Sequence, residues 1–234
     1  MNRMKLVCIN GLILLICLIL SMVMGVHTAT SYVNDVELEG YLKNSDLKVA
    51  YFDIGYDEET NRGYVDPGTV QGIEDLFVED IVVVRACLDK EYVRESYYEC
   101  VLTQIEVTEV LYGDCDNYDT MLVFGPVDCY SDAFIACTDG YSFMQEDVEY
   151  ILFLKPLQNT FYGDDELVFS FSTNMYSKYP LNNEIPQLFD ISELTEPDSM
   201  YLYSEIKEEE IYLYDEDTYD TYLHLKEQVK EMYD

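Results

Sequence analysis

The hydrophobic pattern of the chain changes several times along its length. An almost unbroken apolar run spans residues 6–26. Further on, Val70, Ile73, Leu76 and Phe77 lie at helical spacing, which predicts a short helix over 69–78. From residue 80 the apolar residues recur at every second position and β-branched residues dominate, which is typical of strands. The pattern predicts five strands, at 80–88, 98–111, 120–124, 148–154 and 167–172.

Five short strands within about 95 residues, joined by loops of unequal length, predict a small antiparallel barrel or sandwich.

The last part of the chain, residues 181–234, has a different pattern. A helix is predicted over 218–233, with Tyr222, Leu225, Val229 and Met232 on one side. Residues 200–203 and 211–214 alternate well enough to pair as strands. We therefore predict a mainly β protein with a flanking helix and an acidic C-terminal extension.

The N-terminal apolar run has the arrangement of an export signal. Arg3 and Lys5 precede it, and the first 30 residues contain no acidic residue. The run at 6–26 is also long enough to span a bilayer, since a spanning helix needs about 20 residues. Residues 1–29 are therefore predicted to be either a cleaved signal peptide or an uncleaved membrane anchor. Both alternatives place the rest of the chain outside the cell or at its surface.

The remaining chain is strongly acidic. The whole sequence has 13 basic and 47 acidic residues, a net charge of −34, and removal of the first 30 residues leaves about −36. Such a charge excludes binding to nucleic acid or to an anionic lipid surface, because both need basic patches. A membrane contact is expected only through the N-terminal segment. The charge favours an unidentified protein or a cationic surface as partner.

Several apolar segments carry a resemblance to a known family. The first is Asp75-Leu76 followed by the apolar run at 80–84, and the second is the segment 105–113, which ends at Gly113. The third is Tyr141 followed by the apolar run at 148–154 and then by Tyr162. This pattern resembles a domain of exported Gram-positive bacterial proteins, similar to tissue inhibitors of metalloproteinases and netrin modules. The resemblance covers residues 72–171 and implies an OB-like barrel. We place this barrel domain at 67–180, between an N-terminal extension at 30–66 and an acidic, Tyr-rich extension at 181–234. No plausible cleavage leaves an N-terminal cysteine, so metalloproteinase inhibition is not implied.

The exported part contains five cysteines, an odd number that suits at most two disulfide bonds. Cys87 ends the first predicted strand and Cys100 begins the second, so a hairpin would place them opposite each other. Cys129 and Cys137 would close a short loop. Cys115 is left as the candidate free thiol.

Catalytic chemistry is sparse in the sequence. Only two histidines occur, His27 and His224, and no hydrolase, phosphate-binding or dinucleotide-binding motif is present. We therefore predict no catalytic residue, no cofactor-binding residue and no metal ligand. Calcium is the metal that the acidic clusters at 57–61, 114–119 and 215–220 would suit best, but none has the spacing of a helix–loop–helix calcium site.

These observations favour a non-enzymatic, exported or membrane-anchored cell-surface interaction module of unknown partner. The alternative is an extracellular hydrolase or hydrolase inhibitor. A concave pocket with converging carboxylates would favour the enzyme. A filled barrel with an exposed tyrosine patch would favour binding.

Overall fold

The computed structural model describes residues 38–53, 56, 64–97, 100–115, 119–130, 134–157, 168–182 and 184–233. The predicted signal or anchor at 1–29, the acidic cluster at 57–61 and Tyr162 lie outside these ranges. Among the described helices, none is both long and apolar enough to span a membrane.

Five strands close into a barrel at the centre of the fold. They are β2 (Val82–Leu88), β4 (Cys100–Tyr112), β5 (Thr120–Gly125), β8 (Glu149–Pro156) and β9 (Val168–Phe171). The order around the barrel is β8-β2-β4-β5-β9, and β9 pairs again with β8. All neighbours are antiparallel except β5 and β9, which are parallel. These are the five strands that the sequence predicts, and the mainly β fold with a small barrel and a flanking helix is confirmed. The parallel pairing of β5 with β9 departs from the fully antiparallel barrel that was expected.

Strands β2 and β8 contribute to two separate cores. One set of side chains fills the barrel interior, and it includes Val82, Val84, Ala86, Tyr150, Leu152 and Leu154. The residues between them face outward under the C-terminal helix, and they are Val83, Ile151 and Phe153. Because both faces are buried, these strands appear in the sequence as nearly continuous apolar runs.

Five shorter strands surround the barrel. β1 (Lys48–Phe52) lies parallel to β7 (Phe134–Thr138), which is antiparallel to β6 (Val127–Tyr130). β3 (Glu95–Tyr97) pairs with the start of β4, and β10 (Lys178–Pro180) pairs with β8. The sequence does not predict these strands, because three to five residues give too few positions to establish a period.

Four α-helices and two 3₁₀ helices complete the described structure. The α-helices are α1 (Leu38–Tyr41), α2 (Ser192–Thr195), α3 (Tyr203–Ile206) and α4 (Glu216–Tyr233). Helix α4 confirms the prediction for 218–233, with Tyr222, Leu225 and Val229 buried. Met232 is half exposed rather than buried.

The helix predicted at 69–78 is wrong. Two 3₁₀ helices, Pro67–Thr69 and Ile73–Leu76, replace it, with the extended residue Gly72 between them. The carboxylate of Asp75 accepts hydrogen bonds from the amides of Gln71 and Gly72. This side chain competes with the backbone bonds of a continuous helix.

The acidic C-terminal extension packs on the barrel over its described residues. Residues 200–203 and 211–214 do not pair with each other as predicted. Instead, Leu202 forms an isolated bridge with Lys48, and Ile211 forms one with Tyr141. The extension is thus held by single bridges and by helix α4.

Candidate functional site

A cleft of about 650 Å³ lies outside the barrel. It opens where strands β5 and β9 meet the β1–β7 edge and the segment that leads into helix α4. Seven aromatic residues line it: Tyr51, Phe52, Tyr56, Tyr64, Phe124, Phe171 and Tyr214. Five carboxylates also line it: Asp53, Asp66, Asp128, Asp139 and Asp215. This volume falls in the range of about 300–1,000 Å³ that is typical of ligand sites.

Tyrosine rings form one wall of the cleft. The rings of Tyr51 and Tyr214 meet edge to face, with centroids 4.9 Å apart. Nearby, the hydroxyl of Tyr64 lies 2.9 Å from the Oγ of Ser170. Phe52 is 52% exposed, so part of the aromatic surface is open to solvent. Part of the aromatic lining is therefore accessible to a bound molecule.

A tight turn positions Asp139 at the cleft. Asp139 and Gly140 both have positive φ values, 50° and 76°, and the amide of Tyr141 closes the turn onto the carbonyl of Thr138 at 3.0 Å. Asp-Gly is a favoured pair for such a turn, because both central residues need a positive φ. The side-chain amide of Asn174 donates to Asp139 Oδ2 at 3.0 Å, which fixes the carboxylate.

Burial, together with nearby carboxylates, raises the pKa of two phenols at the cleft. Burial is the main cause of the raised pKa of Tyr51, and the charges of Asp139 and Asp53 add to it. Burial and Asp53 likewise raise the pKa of Tyr214. Both rings therefore lie in the negative potential of the same acidic groups.

Among the polar groups of the lining, two aspartates are hydrogen-bonded to backbone amides and one buried hydroxyl is not hydrogen-bonded within the described residues. Asp66 accepts from the amide of Gly68, and Asp215 accepts from the amide of Thr218 at the start of helix α4, both at 2.9 Å. Thr173 is only 3% exposed, and its Oγ1 has no hydrogen-bond partner among the described residues. A buried hydroxyl without a partner is costly, and such groups are rare in folded proteins.

A buried lysine holds the segment that forms one wall of the cleft. The ammonium group of Lys178 donates to Ser142 O at 2.9 Å, Ser142 Oγ at 3.1 Å and Glu210 O at 3.0 Å. It also lies 4.9 Å from the centroid of the Tyr141 ring. Burial lowers the pKa of Lys178 to about 7, against the opposing effect of Glu210.

Glu210 connects this lysine to helix α4. Both carboxylate oxygens of Glu210 accept from Lys226 Nζ at 2.7 Å, with both side chains less than a tenth exposed. Burial raises the pKa of Glu210 and lowers that of Lys226, so for both groups it outweighs the pairing. From Glu210 the chain continues through Tyr212, whose amide donates to Gly140 O at 2.8 Å, to the cleft residues Tyr214 and Asp215.

The predicted register between Cys87 and Cys100 is wrong. Cys87 is opposite Glu106 of β4, six residues beyond Cys100, and Cys100 pairs instead with Tyr97 of β3. Six residues of strand correspond to roughly 20 Å. A disulfide requires Cα atoms about 4.4–6.8 Å apart, so this bond cannot form in the observed sheet.

Cys129 and Cys137 lie on adjacent strands and face the same core. Cys129 pairs with Ile135 and Cys137 with Val127, which makes the two cysteines diagonal neighbours. The structure holds both as thiols, and burial raises the pKa of Cys129 to about 11. Cys115 is buried in the same core. The described residues contain no disulfide bond, and the Cys129–Cys137 bond stays a prediction.

Of the three acidic clusters considered for calcium, the one at 215–220 is described in full. Within the described residues, no group of three or more acidic, cysteine or histidine side chains is arranged to hold a metal ion. Residues 57–61 and 116–118 lie outside the described ranges. In the third cluster, Asp215 caps helix α4 and lines the cleft. His224 is exposed on helix α4 and lies outside the described lining of the cleft.

The sequence did not predict the cleft, because its lining comes from distant segments. They are drawn from residues 51–53, 56, 64–68, 100, 124–128, 136–139, 170–175 and 213–218. The Asp139-Gly140 pair is the local pattern that could have indicated a turn at this place. Comparisons with protein-family models, with curated proteins and with solved structures find no match to this chain.

Proposed function

We propose that this protein is a non-enzymatic interaction module of the cell surface, exported or anchored through residues 1–29, which binds its partner in the aromatic and acidic cleft. The observation that supports this function best is the aromatic lining of a cleft that lies outside a filled barrel. The cleft has a volume of about 650 Å³, and its lining combines aromatic rings with polar groups of the kind that orient a ligand. The interior of the barrel is filled by apolar side chains, so the cleft outside it is the place where a ligand would enter.

One observation also favours a second candidate, an extracellular hydrolase. The carboxylates of Asp53, Asp128 and Asp139 all line the same concave cleft. Paired carboxylates hydrolyse glycosidic bonds when one acts as acid and the other as base or nucleophile. The two candidates share the site and differ in the fate of the ligand, which a hydrolase converts and a binding module releases unchanged.

A screen by ligand-observed NMR tests the proposal. The full chain is mixed with oligosaccharides, amines and short peptides of either charge, and ligand signals that broaden identify binders. Thr218→Trp places a large side chain at the rim of the cleft and should abolish binding. Thr221→Trp, on the same helix but outside the described lining, is the matched control and should retain it.

Three outcomes separate the possibilities. A ligand that is lost with Thr218→Trp, retained with Thr221→Trp and recovered unchanged supports the binding module. Conversion of such a ligand into products would instead support the hydrolase. Binding that is equal in both variants would place the partner elsewhere on the molecule and refute the cleft as the site.

A further inference from the structure

We propose that the ligand of this cleft is an organic cation with an alkylammonium group, such as a lysine side chain or a polyamine. This inference rests on the proposed function, because it names the chemistry of the ligand in the same cleft. Three independent features of the lining carry it: the charge, the aromatic rings and an unsatisfied hydroxyl group.

The charge of the lining has one sign. Its described residues include five aspartates and no lysine, arginine or histidine. A cleft lined by one sign of charge concentrates ligands of the opposite sign, since the low-dielectric walls focus the field. The net charge of the chain, −34, extends this attraction beyond the cleft. An anionic ligand would meet repulsion from every side of the described lining.

The rings suit an ammonium group. A cation is attracted to the face of an aromatic ring within about 6 Å of its centroid. The protein already contains such contacts, since the ammonium of Lys178 lies 4.9 Å from the Tyr141 ring and 5.6 Å from the Tyr150 ring. In the cleft, Tyr51 and Tyr214 line the wall beside Asp53 and Asp139, and the neighbouring Phe52 ring is 52% exposed. These carboxylates lie close enough to raise the pKa of both phenols.

The unsatisfied hydroxyl gives the third observation. Thr173 belongs to the lining of the cleft, is 97% buried and has no partner for Oγ1 among the described residues. An ammonium group has three N–H donors and no acceptor. The hydroxyl oxygen is itself shielded from solvent, so an ammonium bound in the cleft reaches it only when the Thr173 side chain rotates toward the cleft. Such a contact would satisfy a group that the folded protein leaves without a partner.

A bare metal ion fits the lining less well. Calcium takes six to eight oxygen ligands at about 2.3–2.6 Å, and no described group of three acidic side chains is gathered closely enough. Seven of the lining residues are aromatic, and their ring carbons are not ligands for a hard cation. An organic cation uses both the rings and the carboxylates.

Titrations of the full chain with three probes test the inference. The first is the blocked tripeptide Ac-Gly-Lys-Gly-NH₂, the second is the same peptide with the lysine acetylated, and the third is spermidine. Acetylation removes the charge of the lysine while retaining its chain. We expect the acetylated peptide to bind at least about tenfold more weakly than the charged one.

A matched pair of variants locates the charge effect. Asp139→Asn removes one carboxylate from the cleft, and Asp80→Asn removes one at an exposed position outside its described lining. Both residues have a positive φ, 50° and 63°, which asparagine tolerates. Asp139→Asn should weaken binding of the charged probes by about three- to fivefold, whereas Asp80→Asn should leave it nearly unchanged.

Each outcome supports or overturns the inference. Preferential binding of the charged peptide supports a lysine of a protein partner, and preferential binding of spermidine supports a free polyamine. Equal binding of the charged and acetylated peptides overturns the cation inference but leaves the cleft as a binding site. If neither cation binds while neutral oligosaccharides do, the inference fails and the proposed function stands. If no ligand of any class binds in the cleft, both fail.

Discussion

Replacing Lys178 with methionine should remove most of the rise in stability that we expect between pH 7 and pH 9. Lys178 is 5% exposed, and burial lowers its pKa from 10.5 to about 7. Its neighbours Glu210 and Cys137 oppose this shift, and Lys226 adds to it. The folded protein therefore releases a proton near neutral pH that the unfolded chain keeps up to about pH 10.5.

The sign and the magnitude follow from these two pKa values. Because the unfolded state binds more protons between pH 7 and 10.5, the free energy of unfolding increases with pH in this range. A full proton difference contributes about 1.4 kcal/mol per pH unit. With half of the lysine protonated at pH 7, the contribution of Lys178 to the free energy of unfolding increases by roughly 2 kcal/mol from pH 7 to pH 9.

Urea denaturation of the full chain at pH 6, 7, 8 and 9 measures this increase. The free energy of unfolding of the wild-type protein relative to Lys178→Met should rise by roughly 2 kcal/mol between pH 7 and 9. Buried thiols such as Cys129, whose raised pKa opposes this rise, are present in both proteins and cancel in the comparison. Lys43→Met removes an exposed lysine and serves as the matched control, which should keep the wild-type slope. If the free energy of unfolding of Lys178→Met depended on pH as that of the wild-type protein does, the reasoning would be refuted. A group other than Lys178 would then account for the proton released on folding.

Three further predictions concern single residues and the N-terminal segment. Gly140→Ala should destabilise the protein by at least about 2 kcal/mol in urea denaturation, because its φ is +76° and the new Cβ would lie 2.4 Å from Tyr212 O. Gly68→Ala, whose nearest contact is a side chain at 3.3 Å, should change stability by about 1 kcal/mol or less, and equal losses in both would contradict this account. Glu210→Ala should cost about 3–5 kcal/mol in the same assay, since it leaves Lys226 buried without its counter-ion, and a loss below 1 kcal/mol would argue against the buried pair. Cell fractionation should find the full chain exported or in the membrane and a form lacking residues 1–29 in the cytoplasm, whereas a soluble, cytoplasmic full chain would disprove export.

The barrel could be predicted from the sequence because its strands are long or densely apolar. Residues 150–154 of β8, for example, are buried on both faces and form an unbroken apolar run. The helix at 69–78 was predicted wrongly, since its apolar spacing is helical while Gly72 and the carboxylate of Asp75 favour 3₁₀ turns. Periodicity does not account for such side-chain to backbone bonds.

The cysteine register failed for a topological reason. The predicted hairpin joined β2 directly to β4, but β3 intervenes and pairs with the first residues of β4. In addition, the β2–β4 ladder contains two irregularities, one at Val83/Val84 and one at Arg85/Ala86. Such a register shift changes which residues of the two strands are opposite each other, and no local sequence pattern predicts it.

The cleft and the buried charges depend on long-range packing. Lys226 lies in an acidic extension, where a lysine would ordinarily be exposed, yet it pairs with Glu210 in the interior. Tyr51 and Tyr214 are 163 positions apart in the chain and meet only in the folded protein. The net negative charge, in contrast, could be predicted from composition, and it was this property that indicated a cationic partner.

Calorimetric titration of the full chain with the charged lysyl tripeptide, at 0.15 M and at 1 M salt, tests the central claim most directly. Charges are screened over about 8 Å at the lower salt concentration and about 3 Å at the higher one. If carboxylates attract an ammonium group into the cleft, the affinity should fall severalfold at 1 M salt, and contact with the tyrosine rings should leave a weaker, salt-insensitive part. Equal affinity at both salt concentrations, or no detectable binding at either, would contradict the account.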